Sequence, residues 1–154
     1  MIDRMRALGA IVIGRAGIDL YPQPDGTKID AAQRFMADLG GSAGNIAVGL
    51  ARQSVKAVLI SALSNDPVGR FVQTMLNRYG VDVSHCRLIH GDHRTSLALA
   101  EIRETDCEVV IYRNNAADFQ LNLEDIDPNL IARSSLLIVY RHLRSQPNHR
   151  ARPS

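Results

Sequence analysis

A pair of glycines runs straight into a stretch of small residues in Gly40-Gly41-Ser42-Ala43-Gly44-Asn45-Ile46-Ala47-Val48-Gly49-Leu50-Ala51-Arg52. Ala43, Ile46, Ala47, Leu50 and Ala51 recur at helical spacing, and side chains that small let a helix lie close against its neighbours. Glycine lacks a Cβ, so the turn before the helix can adopt backbone angles closed to other residues and can bring main chain close to a ligand. Beside the N–H groups of a helix start, such a turn is able to hold sugar hydroxyls or an anion. Read as packing alone, it is a tight strand-to-helix turn filled with small residues.

The surrounding chain alternates between strand and helix patterns. Ala10-Ile11-Val12-Ile13-Gly14 is an apolar run closed by glycine and reads as a buried strand; Ile18-Asp19-Leu20-Tyr21 alternates as a half-exposed strand does, with Pro22, Pro24, Asp25 and Gly26 ending it. Val55 to Ser61 is apolar and β-branched, a further strand. Asn65-Asp66-Pro67 is a helix start, and the stripe Val68, Phe71, Val72, Met75, Leu76 and Tyr79 is stopped by Gly80. Thr95 to Arg103 and Glu108 to Arg113 are expected to form an antiparallel hairpin about Glu104-Thr105-Asp106. Leu123 to Arg133 is expected to be helical, and Leu136 to Val139 to be a buried strand. Alternating strands and helices with a hairpin indicate an α/β sheet domain with an accessory β element, occupying residues 1–140. From Arg141 to Ser154 there is no apolar periodicity, and a disordered basic tail is expected. It follows a core-like strand directly, where an α/β protein would feed a helix and further parallel strands, so the chain is expected to be cut short.

Composition narrows the function classes. With 45% apolar and 22% charged residues the chain is ordinary for a globular protein. Its 5% aromatic share, without Trp, leaves little for stacking nucleic-acid bases. The formal charge of +2 comes from Arg141, Arg144, Arg150 and Arg152; without those four the remainder stands at −2, so no nucleic-acid partner is expected. No run approaches the roughly 18 apolar residues of a membrane span, and no signal peptide is evident, so a cytoplasmic protein without a membrane partner is expected. Cys86 and Cys107 are read as free thiols. His90 and His93 lie in a polar loop without a third ligand nearby, so no metal is expected there. Gly14 and Gly17 lack the third glycine of a dinucleotide fingerprint.

Gly14-Arg15-Ala16-Gly17-Ile18-Asp19, the Gly40-Gly41 turn and Asn65-Asp66-Pro67-Val68-Gly69 stand in an order and at spacings that resemble the PfkB, or ribokinase-like, carbohydrate kinases. Leu39 to Arg52 looks like that family's amino-terminal signature, and the resemblance runs from Ala10 to about Val139. It implies a ribokinase-like three-layer α/β sandwich with a small β lid, truncated after the amino-terminal half. It implies also that Asp19 accepts hydrogen bonds from sugar hydroxyls, that the Gly40 and Gly41 backbone closes over the sugar, and that Asn45 donates to it. Arg113 would face a keto or acid end, because a planar guanidinium fork matches such oxygens. Plainer readings stand beside these: Asp19 as a solvated strand end, Arg113 as a surface arginine, Asp66 and Gly69 as a helix cap.

Tyr112-Arg113-Asn114-Asn115-Ala116-Ala117-Asp118, with Gly14-Arg15, most resembles family members acting on 5-dehydro-2-deoxygluconate in inositol catabolism. Kinases of 2-keto-3-deoxygluconate and fructokinase-like members are the alternatives. Gly17 stands where many members carry a sugar-contacting Asn and Ser42 where some carry Lys, so ribose is not expected. The family reaction uses ATP and Mg²⁺, and its catalytic aspartate lies in a Gly-x-Gly-Asp helix start that this chain does not contain. No catalytic residue and no tight cofactor binding are therefore expected here, and a non-catalytic fragment or interaction domain is the competing reading. A homodimer would form through the lid or an exposed edge.

Overall fold

The structure, a computed structural model, describes residues 8–140, so Arg141 to Ser154, read above as a disordered tail, lies outside the described residues. The first apolar run becomes β1 (Leu8–Gly14). Its residues Ala10, Ile11, Val12 and Ile13 are all buried, as befits a parallel strand covered on both faces. In chain order there follow β2 (Gly17–Gln23), β3 (Arg34–Gly40), α1 (Ser42–Arg52), β4 (Ala57–Ser64), α2 (Pro67–Arg78), β5 (Cys86–Ile89), β6 (Leu97–Ile102), β7 (Cys107–Tyr112), α3 (Pro128–Ala132) and β8 (Ser134–Tyr140). A parallel sheet has the order β5-β4-β1-β8, with Ala10 opposite Ala57 on one side and Leu136 on the other. A second sheet has the order β3-β2-β6-β7, parallel only between β2 and β6.

Side chains alternate across β1 and β4 and so feed two separate cores. Val12, Leu59 and Leu63 pack with Ala43 and Ala47 of α1 and with Val72 and Leu76 of α2. Ile11, Ile13, Val58 and Ile60 face the other way and are covered by Leu130 of α3 with Leu121 and Ile126. Helices on one face, with α3 and short 3₁₀ turns on the other, make the three layers expected. The start of α2 is also as expected: Asp66 Oδ1 accepts from Val68 N at 2.9 Å and Gly69 N at 3.0 Å, and Pro67 follows it.

Four expectations need correction. The expected antiparallel hairpin is present as β6 and β7, but the accessory β element is larger than that hairpin, because β2 and the unforeseen β3 join it in a four-stranded sheet. β2 runs on through Pro22, which lies past Leu20, the last residue paired to β6. Leu123 to Arg133 is not one helix but a 3₁₀ turn, Leu123–Asp125, followed by α3. Asn122 and Asp127 each capture a nearby N–H, and Pro128 turns the residue before it away from helical angles. β8 is a strand as expected but is not buried: Leu136, Leu137 and Val139 are 47%, 41% and 61% exposed, since among the described residues β8 pairs with β1 alone.

Candidate functional site

β1 and β2 are joined by only Arg15 and Ala16, and this loop passes under the start of α1. The Arg15 carbonyl accepts from Ala43 N at 3.1 Å and from Gly44 N at 3.2 Å, while Asn45 N donates to Gly41 O at 2.9 Å. The helix start is therefore occupied by the chain's own carbonyls, and these three donors are not offered to a ligand. Gly41 has φ +89°, and a Cβ there would lie 2.6 Å from the Arg15 oxygen. Its role in this structure is the close crossing of loop and turn.

Gly40 ends β3 opposite Gly17 and lies against Asp19: a Cβ on Gly40 would stand 1.9 Å from Asp19 Oδ1. Asp19 is half-buried, and its register partner across the β2–β3 ladder is Asp38, a like charge. Burial pushes the Asp19 carboxyl above the ordinary range, Arg15 pulls it back, and Asp38 pushes it up again. Asp19 is thus a carboxylate held near Arg15 with its oxygens over a residue that has no side chain.

Beyond the carboxyl ends of β1 and β8 lies a cavity of about 420 Å³, lined by Ile13, Gly14 and Arg15 on one side and Val139 and Tyr140 on the other. From β1 the chain crosses through α1 to β4 on one side, while β8 lies on the other. The cavity therefore sits where the strand order diverges, the usual ligand crevice of an open α/β sheet. Arg113, Asp118 and Phe119 complete its polar wall. Arg113 forms an ion pair with Asp118, its Nε 3.5 Å from Oδ1, and its guanidinium lies 4.5 Å from the centroid of the Phe119 ring. Arg15 Nη1 donates to Ser96 Oγ at 3.3 Å. Burial, and after it the neighbouring Arg113, weigh against the charge on Arg15, while Asp118, Asp19 and Tyr140 support it.

Of the residues singled out from the sequence, Asp19 and Gly40 are in contact, and Gly41 supports the adjoining turn. Arg113 lies at the cavity, whereas Asp19 and Asn45 are not among its lining residues, and Asn45 is exposed on the first turn of α1. Arg15 and Asp118 were not singled out as site residues. The available signal for Arg15 was its place directly after the glycine that closes a buried strand. Among the described residues no three His, Cys, Asp or Glu side chains converge as metal ligands. No step is assigned to these residues through a nucleotide or its divalent cation.

Residues 8–145 match the family described as pfkB family carbohydrate kinase. The 5-dehydro-2-deoxygluconokinase of Photobacterium profundum is 38% identical over 138 residues, covering 90% of this chain and 42% of that protein. The chain thus spans about two-fifths of that relative's length. Among solved structures, the PfkB protein from Polaromonas sp. JS666 superposes with a TM-score of 0.77 at 27% identity, covering 85% of this chain and 44% of that one. A sugar kinase from Pyrococcus horikoshii solved in complex with ATP gives a TM-score of 0.74 at 26% identity, covering 86% and 42%. A match over that whole span, on a fold and crevice of this kind, means that the chain belongs to the pfkB family of carbohydrate kinases.

Proposed function

We propose that this chain supplies the substrate-binding half-site of an ATP-dependent carbohydrate kinase whose substrate is a sugar acid, 5-dehydro-2-deoxygluconate before others. The observation that carries this reading is the meeting of Arg15 and Arg113 at one crevice, with Asp19 close to Arg15. Guanidinium groups suit carboxylate and keto oxygens, and a carboxylate acceptor suits hydroxyls, so a polyhydroxy acid meets both. Asp19 accepts from the hydroxyls, Gly40 and Gly41 form the floor beneath them, Asn45 donates from α1, and Arg113 belongs to the acid end. The name of the Photobacterium relative supports the choice of sugar. ATP would be the phosphoryl donor with Mg²⁺ at its phosphates; the chain has no Gly-x-Gly-Asp run, and the transfer is not assigned to any of its residues.

Titration calorimetry tests the reading with 5-dehydro-2-deoxygluconate, 2-keto-3-deoxygluconate and fructose. The first is expected to bind tightest, and Asp19→Ala to weaken it by about tenfold or more, the worth of one hydrogen bond to a charged group. Fructose binding as tightly as the acids would move the assignment to a fructokinase-like member. No binding by a demonstrably folded chain would end it.

A further inference from the structure

We infer that Arg15, rather than Arg113, is the guanidinium that receives the acid group of the ligand, and that Arg113 is a positioning residue. The inference rests on the sugar-acid reading above and divides the labour within that site. Arg113 is already committed: its side chain is 18% exposed, its carboxylate partner Asp118 only 6%, and the Phe119 ring covers one face of the guanidinium. Asp118 takes the Nε and one Nη of Arg113, the edge that would grip a carboxylate with two parallel hydrogen bonds, so an incoming acid could be held bidentately there only by displacing Asp118 and leaving a buried negative charge unpaired.

Arg15 stands differently. Among the described residues it makes no ion pair, and its guanidinium rests on the Ser96 hydroxyl, a neutral acceptor at 3.3 Å. Exchanging that contact for a carboxylate strengthens the hydrogen bonding instead of orphaning a charge. Within the lining Arg113 is paired with Asp118, whereas Arg15 has no carboxylate in hydrogen-bond contact among the described residues, and Ile13, Phe119, Leu121, Ile126 and Val139 keep the surroundings apolar. A charge in such a lining interacts more strongly than in open water. Asp19, which is not part of the lining, supports the Arg15 charge through space. Burial and Arg113 together oppose the Arg15 charge, and an arriving anion relieves that opposition.

The test compares D-gluconate with D-glucitol, a neutral polyol of the same carbon number, by calorimetry on the full chain. Arg15→Gln is expected to weaken gluconate by about tenfold or more and to leave glucitol within about twofold, while Arg113→Gln weakens both alike. If the wild type prefers gluconate and Arg15→Gln keeps that preference, or if Arg113→Gln alone removes it, the assignment is overturned while the sugar-acid reading stands. If folded wild type binds both equally or neither, the sugar-acid reading fails and the assignment with it. A measurement on the wild type covers the case in which Arg15→Gln does not fold. Gluconate, and not glucitol, is expected to shield Arg15 from phenylglyoxal as read by mass spectrometry, and equal labelling with and without gluconate overturns the inference.

Discussion

Two glycines show how one residue type serves two ends. A Cβ on Gly40 would meet Asp19 Oδ1 at 1.9 Å, and a Cβ on Gly69 would meet the Ser64 carbonyl oxygen at the same 1.9 Å. A carboxylate can swing aside about its own torsions, whereas a strand carbonyl moves only with the strand. Gly69→Ala is therefore expected to cost about 1–3 kcal/mol of stability by urea unfolding, because α2 must lift away from the end of β4. Gly40→Ala is expected to keep most of the stability and to lose polyol binding, because the atom it displaces is the proposed hydroxyl acceptor. The opposite pattern would remove Asp19 from the site. Asp66 was legible as a cap because its partners stand two and three residues away. Arg15 was not, because its hydroxyl partner Ser96 is 81 residues distant, and a lone arginine after a strand looks the same whether it faces water or a crevice.

At the scale of elements, strands that alternate or run apolar were legible and those that do neither were not. β3 begins Arg34-Phe35-Met36-Ala37, all exposed, and owes its existence to the ladder with β2 rather than to its own pattern. The expected helix from Leu123 failed for a local reason, since the side chains of Asn122 and Asp127 each start a new turn and Pro128 separates the two. The cap of α2 carries a prediction of its own. Burial pushes the Asp66 carboxyl up, but the N–H of Gly69, the Ser64 hydroxyl and the N–H of Val68 together hold it below its usual 3.8. A carboxyl lowered by folding contributes stability that is present above its unfolded value and is lost as pH falls through the folded one. Asp66→Ala is expected to cost about 1 kcal/mol at neutral pH, and the gap between variant and wild type to close as the solution is taken below 3.8. A gap unchanged into acid would show that the cap works through shape and not through charge.

For the molecule as a whole, β7 and β8 are the edge strands with the most exposed large apolar side chains among the described residues. Val109, Val110, Ile111 and Tyr112 of β7 are 47%, 42%, 51% and 59% exposed, and Leu136, Leu137 and Val139 of β8 are exposed as well. Among the described residues β7 pairs only with β6 and β8 only with β1, so each offers an unpaired edge of the kind that recruits another chain. Concentration-dependent association is expected in sedimentation velocity, with Ile111→Lys or Val139→Lys reducing it according to which edge is used; a monomer at every concentration would count against both. That β8 is an edge could not be read from Leu136 to Val139, because an apolar run does not say how many neighbours it has. The two-residue loop between β1 and β2 ties the rest together. One residue, Arg15, holds the first turn of α1 by its carbonyl and reaches the crevice by its guanidinium. Main chain and side chain of Arg15 are thus yoked like two arms of one short lever, so whatever steadies the guanidinium steadies the helix, and a loop this brief has no slack to keep them apart.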